Sequence, residues 1–282
     1  VPVGTVSNKL LEKANQVKTE AFMGKRGIQS WRCSIGSLVA LALLGGGCQP
    51  SEVAVPFVSM SVSPAVLAEL AYPRFLVDPQ AAEQYRQKGL AYRQAGSLER
   101  AIAAFTIAAA LDPHNPNSYV ILGWTQHLAG HHTSAADTLN LAVKQNPDLV
   151  PALNALGIVY LVDGQLDAAV ATHQRAITLK PNNEIAHYNL SLAYERLGQA
   201  EQAVTHAQMA TELEPGNPHP WVALALAYEA QGNAAQAQTY YRQALQLDGR
   251  YQSRAYLEHL EQAGMSPEQI ATVAVIQQRE VL

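Results

Sequence analysis

Three neighbouring histidines, His127, His131 and His132, are the side chains whose types and spacing first suggest chemistry. His127 and His131 are four apart, a spacing that puts two imidazoles on one helix face, where they can share a metal ion. A zinc site needs three or four ordered ligands, and Asp137 is the only carboxylate close by in sequence. The cluster surrounds Gly130, so a solvated turn accounts for it and no metal is assigned. His173 and His206 fall in helical stretches and are read as packed or bonded to a neighbour. Asp163-Gly164-Gln165-Leu166-Asp167 lacks the ligand count and the terminal Glu of a calcium loop. No phosphate loop, nucleophile elbow or workable carboxylate pair is found. The chain is therefore read as non-catalytic and without a cofactor. A metal-dependent enzyme, with ligands assembled from distant segments, is the least favoured alternative.

The elements that carry these residues repeat. Gly96, Gly130, Gly164, Gly198 and Gly232 follow one another at 34 residues, and Pro113, Pro147, Pro181 and Pro215 keep the same step. Periods of 20–50 residues mark stacked solenoid units. In residues 150–183, Leu153, Leu156 and Tyr160, then Ala169 and Ile177, keep helical spacing in two blocks. Gly164 lies between the blocks, where a left-handed residue ends a helix. Pro181 follows the second block, where it cannot continue one. Each unit is thus a helix–turn–helix pair.

The pattern resembles the tetratricopeptide repeat family. Residues 82–115 match its frame with Tyr85, Gly89, Tyr92, Ala101, Phe105, Ala108 and Pro113, and residues 116–149 with Tyr119, Leu122, Gly123, Ala135, Leu139, Ala142 and Pro147. Residues 150–183 match with Leu156, Gly157, Tyr160, Ala169, Ala176 and Pro181 but carry His173 where Phe is expected. Residues 184–217 match with Leu190, Tyr194, Ala203, Ala210 and Pro215, with Ser191 in the glycine place. Residues 218–251 match with Trp221, Leu224, Tyr228, Ala237, Tyr241 and Ala244. The resemblance implies an all-α, right-handed superhelical solenoid of five repeats. A C-terminal cap is expected over 252–282: a helix continuing through 252–264, then a second one opened by the capping box Ser266-Pro267-Glu268-Gln269. Its apolar face of Ile270, Val273, Ala274 and Ile276 is expected to cover the last repeat.

In this family the first (A) helices line a concave face that holds partner segments. The positions carried over are Arg86, Leu90 and Arg93, then Val120, Trp124 and His127, then Asn154, Ile158 and Leu161. Tyr188, Leu192 and Glu195 follow, and His219, Val222, Leu226 and Glu229 end the series. The middle of this face is apolar, its N-terminal end basic and its C-terminal end acidic, which suits an amphipathic helix or an extended apolar segment of another protein. Arg86 stands where the chaperone-binding branch places a clamp cation, but Leu90 and Ile121 replace the expected asparagines, so that branch is disfavoured. Packing against the next A helix, or filling of the groove by the chain's own linker, also accounts for these residues.

Composition narrows the partner. Hydrophobic residues make up 48% of the 282, and charged ones only 15%. Residues 1–48 carry six Lys/Arg against two Asp/Glu, and residues 49–282 carry 13 against 21. A body at −8 without a basic stripe repels phosphate backbones, which argues against nucleic acid.

The two cysteines, Cys33 and Cys48, fall in the leader, residues 23–48. Lys25, Arg26 and Arg32 precede a 12-residue apolar run, Cys33–Leu44, too short for a membrane span and suited to an export signal. Met23 then reads as the true start, with residues 1–22 an extension ahead of it. Leu44-Gly45-Gly46-Gly47-Cys48 resembles a bacterial lipobox, which implies lipidation at Cys48 and attachment to a membrane on the periplasmic or lumenal side. Gly45 stands where that family usually has Leu. An ordinary signal, a short anchor or a buried segment, with a cytoplasmic location, are the other readings. Residues 49–81 read as an extended linker with a short helix opened by Ser63-Pro64. The expected function is a tethered interaction scaffold, used in assembly of a membrane complex. A permanent structural subunit of a larger complex is the alternative, and the oligomeric state is left open.

Overall fold

The computed structural model describes residues 77–281, which fold as twelve helices with no strand among them. The leader, Cys48 and the linker up to residue 76 lie outside the described residues. Ten helices form five antiparallel pairs: α1 (Pro79–Gln94) with α2 (Leu98–Leu111), α3 (Pro116–Leu128) with α4 (His132–Gln145), α5 (Val150–Val162) with α6 (Leu166–Leu179), α7 (Glu184–Arg196) with α8 (Ala200–Leu213), and α9 (Pro218–Ala230) with α10 (Ala234–Leu247). From α2 to α10 every helix starts at the same place in the 34-residue frame. The first departs, because Asp78 caps it by accepting from the Ala81 amide, and Pro79 takes the first turn, so the helix takes in residues assigned to the linker.

The turns and the packing follow from residue size. The five frame glycines have φ between 71° and 82°, left-handed backbone that glycine adopts without strain. At the twentieth and twenty-seventh positions, Ala101, Ala135, Ala169, Ala203 and Ala237, then Ala108, Ala142, Ala176, Ala210 and Ala244, are all fully buried. The eighth position closes the pair. A Cβ added to Gly89 would meet the Phe105 ring at 2.5 Å, one on Gly123 would meet Leu139 at 2.7 Å, and one on Gly157 would meet His173 at 2.5 Å.

Polar bonds set the register between pairs. The eleventh-position tyrosines Tyr160, Tyr194 and Tyr228 accept from the preceding pair's Asn140 (3.0 Å), Gln174 (2.6 Å) and Gln208 (3.2 Å). At the first seam Thr106 and Gln126 occupy these positions, and the buried Gln126 Oε1 has no hydrogen-bond partner. At the fourth position, Tyr119, His187 and Trp221 donate to the carbonyls of Pro113 (3.1 Å), Pro181 (3.0 Å) and Pro215 (2.9 Å). These bonds account for a large side chain with a polar tip at that place: its ring fills the pair interface and its tip satisfies a carbonyl at the preceding helix end.

The C-terminal segment departs from expectation. In place of a continuous helix over 252–264, the chain makes a 3₁₀ turn (Gly249–Gln252), one α-helical turn, α11 (Arg254–Leu257), and a second 3₁₀ stretch (Glu258–Ala263). Leu257 and Leu260 are both buried and three residues apart, and 3₁₀ geometry brings i and i+3 onto one side. Gly264, at φ 91°, ends the stretch. The capping box forms as expected: the Gln269 amide donates to Ser266 Oγ (3.3 Å) and the Ser266 amide to Gln269 Oε1 (3.0 Å). It opens α12 (Pro267–Val281). No helix of the described residues is long and apolar enough to cross a membrane.

Candidate protein-binding face

The expected binding residues project from the A helices α1, α3, α5, α7 and α9. The structure divides them into an accessible N-terminal half and a C-terminal half covered by the chain itself.

In the first half, Arg86 is not a free cation. Its guanidinium donates to Glu83 Oε2 (2.8 Å), Asp112 Oδ2 (3.4 Å) and Ser118 Oγ (3.0 Å), so two carboxylates already neutralise it. Leu90 and Val120 are partly buried at the edge of the first core cluster. Arg93 lies with its guanidinium over the Phe105 ring, 5.9 Å from its centre, and one guanidinium nitrogen is buried without a hydrogen-bond partner. Burial lowers its pKa. Trp124 is half-buried, its ring 5.0 Å from that of His127. His127 Nδ1 lies 3.3 Å from His132 Nδ1, and burial, then the charge of His132, lowers His127 to about 4. His131 turns away to Glu99 (3.3 Å). The three neighbouring histidines do not converge on one point, and among the described residues no three His, Cys, Asp or Glu side chains are grouped to hold a metal. Ile158 is half-buried.

Asn154 is buried and taken: it exchanges two hydrogen bonds with Asn183, at 3.2 and 2.8 Å, which joins α5 to the cap of α7. Leu161, Tyr188, Leu192, Val222 and Leu226 share one buried cluster with Leu257, Leu260, Met265, Val273, Ala274 and Ile276 of the C-terminal segment. The Tyr188 hydroxyl donates to the Ala263 carbonyl at 2.9 Å. Glu195 accepts from Gln269 Nε2 at 2.6 Å. Burial raises the Glu195 pKa, while that bond and Arg196 oppose the rise. Glu229 pairs with Arg279 at 2.8 Å, and His219 Nδ1 bonds the Tyr251 hydroxyl at 2.9 Å. The expectation that these residues line an open groove is corrected here: α12 reaches beyond the last repeat, and its own chain fills the acidic end. The sequence carried one sign of this in Gly264, a left-handed turn outside the 34-residue frame.

Three further histidines lie within helices of the solenoid. His187 donates through Nε2 to the Pro181 carbonyl (3.0 Å), its Nδ1 shares a hydrogen bond with His206 Nδ1 at 3.0 Å, and His206 stacks on Tyr194. His173 is fully buried with neither ring nitrogen hydrogen-bonded, and burial lowers it to about 3, the Gly157 backbone opposing in part.

Comparison with known proteins agrees with this geometry. A family model described as tetratricopeptide repeat matches residues 86–150, a TPR repeat model matches 163–198, and two further tetratricopeptide repeat models match 185–217 and 218–251. No curated protein sequence matches the chain significantly. One solved structure of MamA protein is similar at 26% identity and a TM-score of 0.53, over 61% of this chain and 93% of that one. A second structure of MamA gives 27% identity and a TM-score of 0.52, over 57% and 95%. TTC0263, a thermophilic TPR protein in Thermus thermophilus, shares the fold at 23% identity and a TM-score of 0.51, over 60% and 93%. The five helix pairs of this chain are a solenoid of tetratricopeptide repeats.

Proposed function

We propose that this protein is a non-catalytic scaffold that holds an amphipathic helix of another protein against the N-terminal half of its A-helix face. One observation carries the reading: Leu90, Val120, Trp124 and Ile158 stay partly exposed there, and so does Arg93 of α1. The accessible apolar surface on adjacent A helices suits the apolar side of a helix, and Arg93 suits an acidic residue on it. The occupant of the other half, a helix with one apolar face, supports the choice of a helix over an extended segment. In the same reading residues 23–48 export the chain and Cys48 anchors it by lipid, so the partner belongs to a membrane complex under assembly. Mass measurement of the N-terminal peptide of the membrane-bound protein tests the anchor; an unmodified Cys48 within an intact longer chain refutes it.

The binding test places a photo-crosslinking residue at position 124, 158 or, as a control on an exposed B-helix position, 144, in the full chain in its native membranes. Crosslinks to one protein from 124 and 158, and none from 144, are expected. Trp124→Ala is expected to abolish that capture with helicity nearly intact. Equal labelling from 144, or capture unchanged in Trp124→Ala, moves the site elsewhere.

A further inference from the structure

The acidic half of the A-helix face holds a helix, and the contacts state what that half recognises. Gln269 Nε2 donates to the Leu192 carbonyl at 3.2 Å and to Glu195 Oε2 at 2.6 Å. Ten residues on, Arg279 donates to Glu229 at 2.8 Å. Glu195 and Glu229 occupy the same, twelfth position of successive repeats. Ten residues of helix rise about 15 Å, which carries α12 from one glutamate to the other. Next to Arg279, Glu280 accepts from Arg242 of α10 at 2.8 Å. Between the polar ends, Val273, Ala274 and Ile276 are buried.

We propose that this half is a helix-binding site in its own right, and that α12 is its tethered ligand, exchangeable for a partner helix of the same chemistry. That chemistry is a capping-box start with glutamine at its fourth place, a short apolar face, and a basic residue ten positions after the glutamine. The contacts suit exchange. Two of the side chains that α12 buries are amides, Gln269 and Gln277, and both donate to main-chain carbonyls that keep another donor when the helix leaves. Leu192 lies within α7, whose own ladder uses its carbonyl. The Tyr251 carbonyl, 3.0 Å from Gln277 Nε2, also accepts from the Tyr241 hydroxyl at 2.8 Å. The terminal ion pairs have solvent-exposed arginines, whose attraction water screens. Departure of α12 therefore strands no polar group in the solenoid, and Leu257 and Leu260 of the preceding segment remain as the cap. This site is separate from the N-terminal half and does not depend on the partner proposed there.

Hydrogen exchange on the full chain tests it. Amides of residues 268–281 are expected to exchange at least tenfold faster than buried amides of α7 and α9, through a local opening. A synthetic peptide of residues 265–282, added at millimolar concentration, competes for the vacated site and accelerates exchange in α12 further. The same peptide with Gln269→Ala does so less. In the full chain, Gln269→Ala with Arg279→Ala speeds α12 by about another tenfold, with α2 and α4 unchanged. A single rate for α7, α9 and α12, exchange of α12 indifferent to the peptide, or acceleration that spreads to α2 and α4 would each overturn the proposal. Trp124→Ala leaves α12 exchange as it was, so the two binding sites can fail independently.

Discussion

His173→Phe is expected to make the protein more stable, and increasingly so in acid. His173 lies in α6 under Gly157, fully buried, with neither ring nitrogen hydrogen-bonded. A buried polar group without a partner costs about 1–3 kcal/mol, and a phenyl ring has none to satisfy. The slot accepts that ring, since Phe105 fills the equivalent place under Gly89 with the same 2.5 Å approach to a notional Cβ. At pH 7 the gain is therefore about 1–3 kcal/mol. The pH dependence follows from the depressed pKa. His173 titrates near 6.5 when unfolded and about 3 when folded, so the unfolded state takes the proton first. The wild type has its full stability above pH 6.5 and loses it progressively as the pH falls towards 3. At pH 5, some 1.5 units below the unfolded value, the loss is about 2 kcal/mol. The variant escapes that loss, while the lowered His127, His206 and His219 are common to both proteins and cancel. Urea unfolding followed by helical circular dichroism at pH 7 and pH 5 measures both terms. A variant less stable at pH 7 would show that the ring is over-packed or the nitrogens are satisfied. A stability difference that fails to widen at pH 5 would show that His173 is protonated in the folded state.

The same packing gives two further tests. Ala169→Leu enlarges a side chain that is fully buried between α5 and α6, and is expected to cost about 1–3 kcal/mol in the same assay; a neutral result would mean that the pair can spread. Gly157→Ala puts a Cβ 2.5 Å from the His173 ring and is expected to cost a similar amount, about 1–3 kcal/mol. Combining it with His173→Ala clears the ring away, so the double variant should be more stable than the sum of the two single losses. Strict additivity would show that the two side chains are not in conflict.

The 34-residue frame was legible because its causes are local and recur. Five left-handed turns need glycine, ten helix contacts need alanine, and each helix end needs a cap or a proline, so the same residue types return at one spacing. The capping box at residues 266–269 was legible for the same reason: its two bonds join residues three apart. Even the odd residue of the set, His173, stood out in the sequence as a departure from the frame, though only the structure showed that its nitrogens go unpaired. Which part of the A-helix face stays accessible was not legible. It was decided by Tyr188 meeting Ala263 and by Gln269 meeting Leu192, contacts between residues 75 and 77 apart. Single polar contacts at that separation leave no period in the chain. The apolar spacing of Leu192 or Leu226 is the same whether a partner or the chain's own helix lies over it. The sequence by itself therefore determined the repeating pair and its turns, through short-range sterics and hydrogen bonding. Only the tertiary structure decided which half of the face stays accessible, because that depends on where the last helix comes to rest.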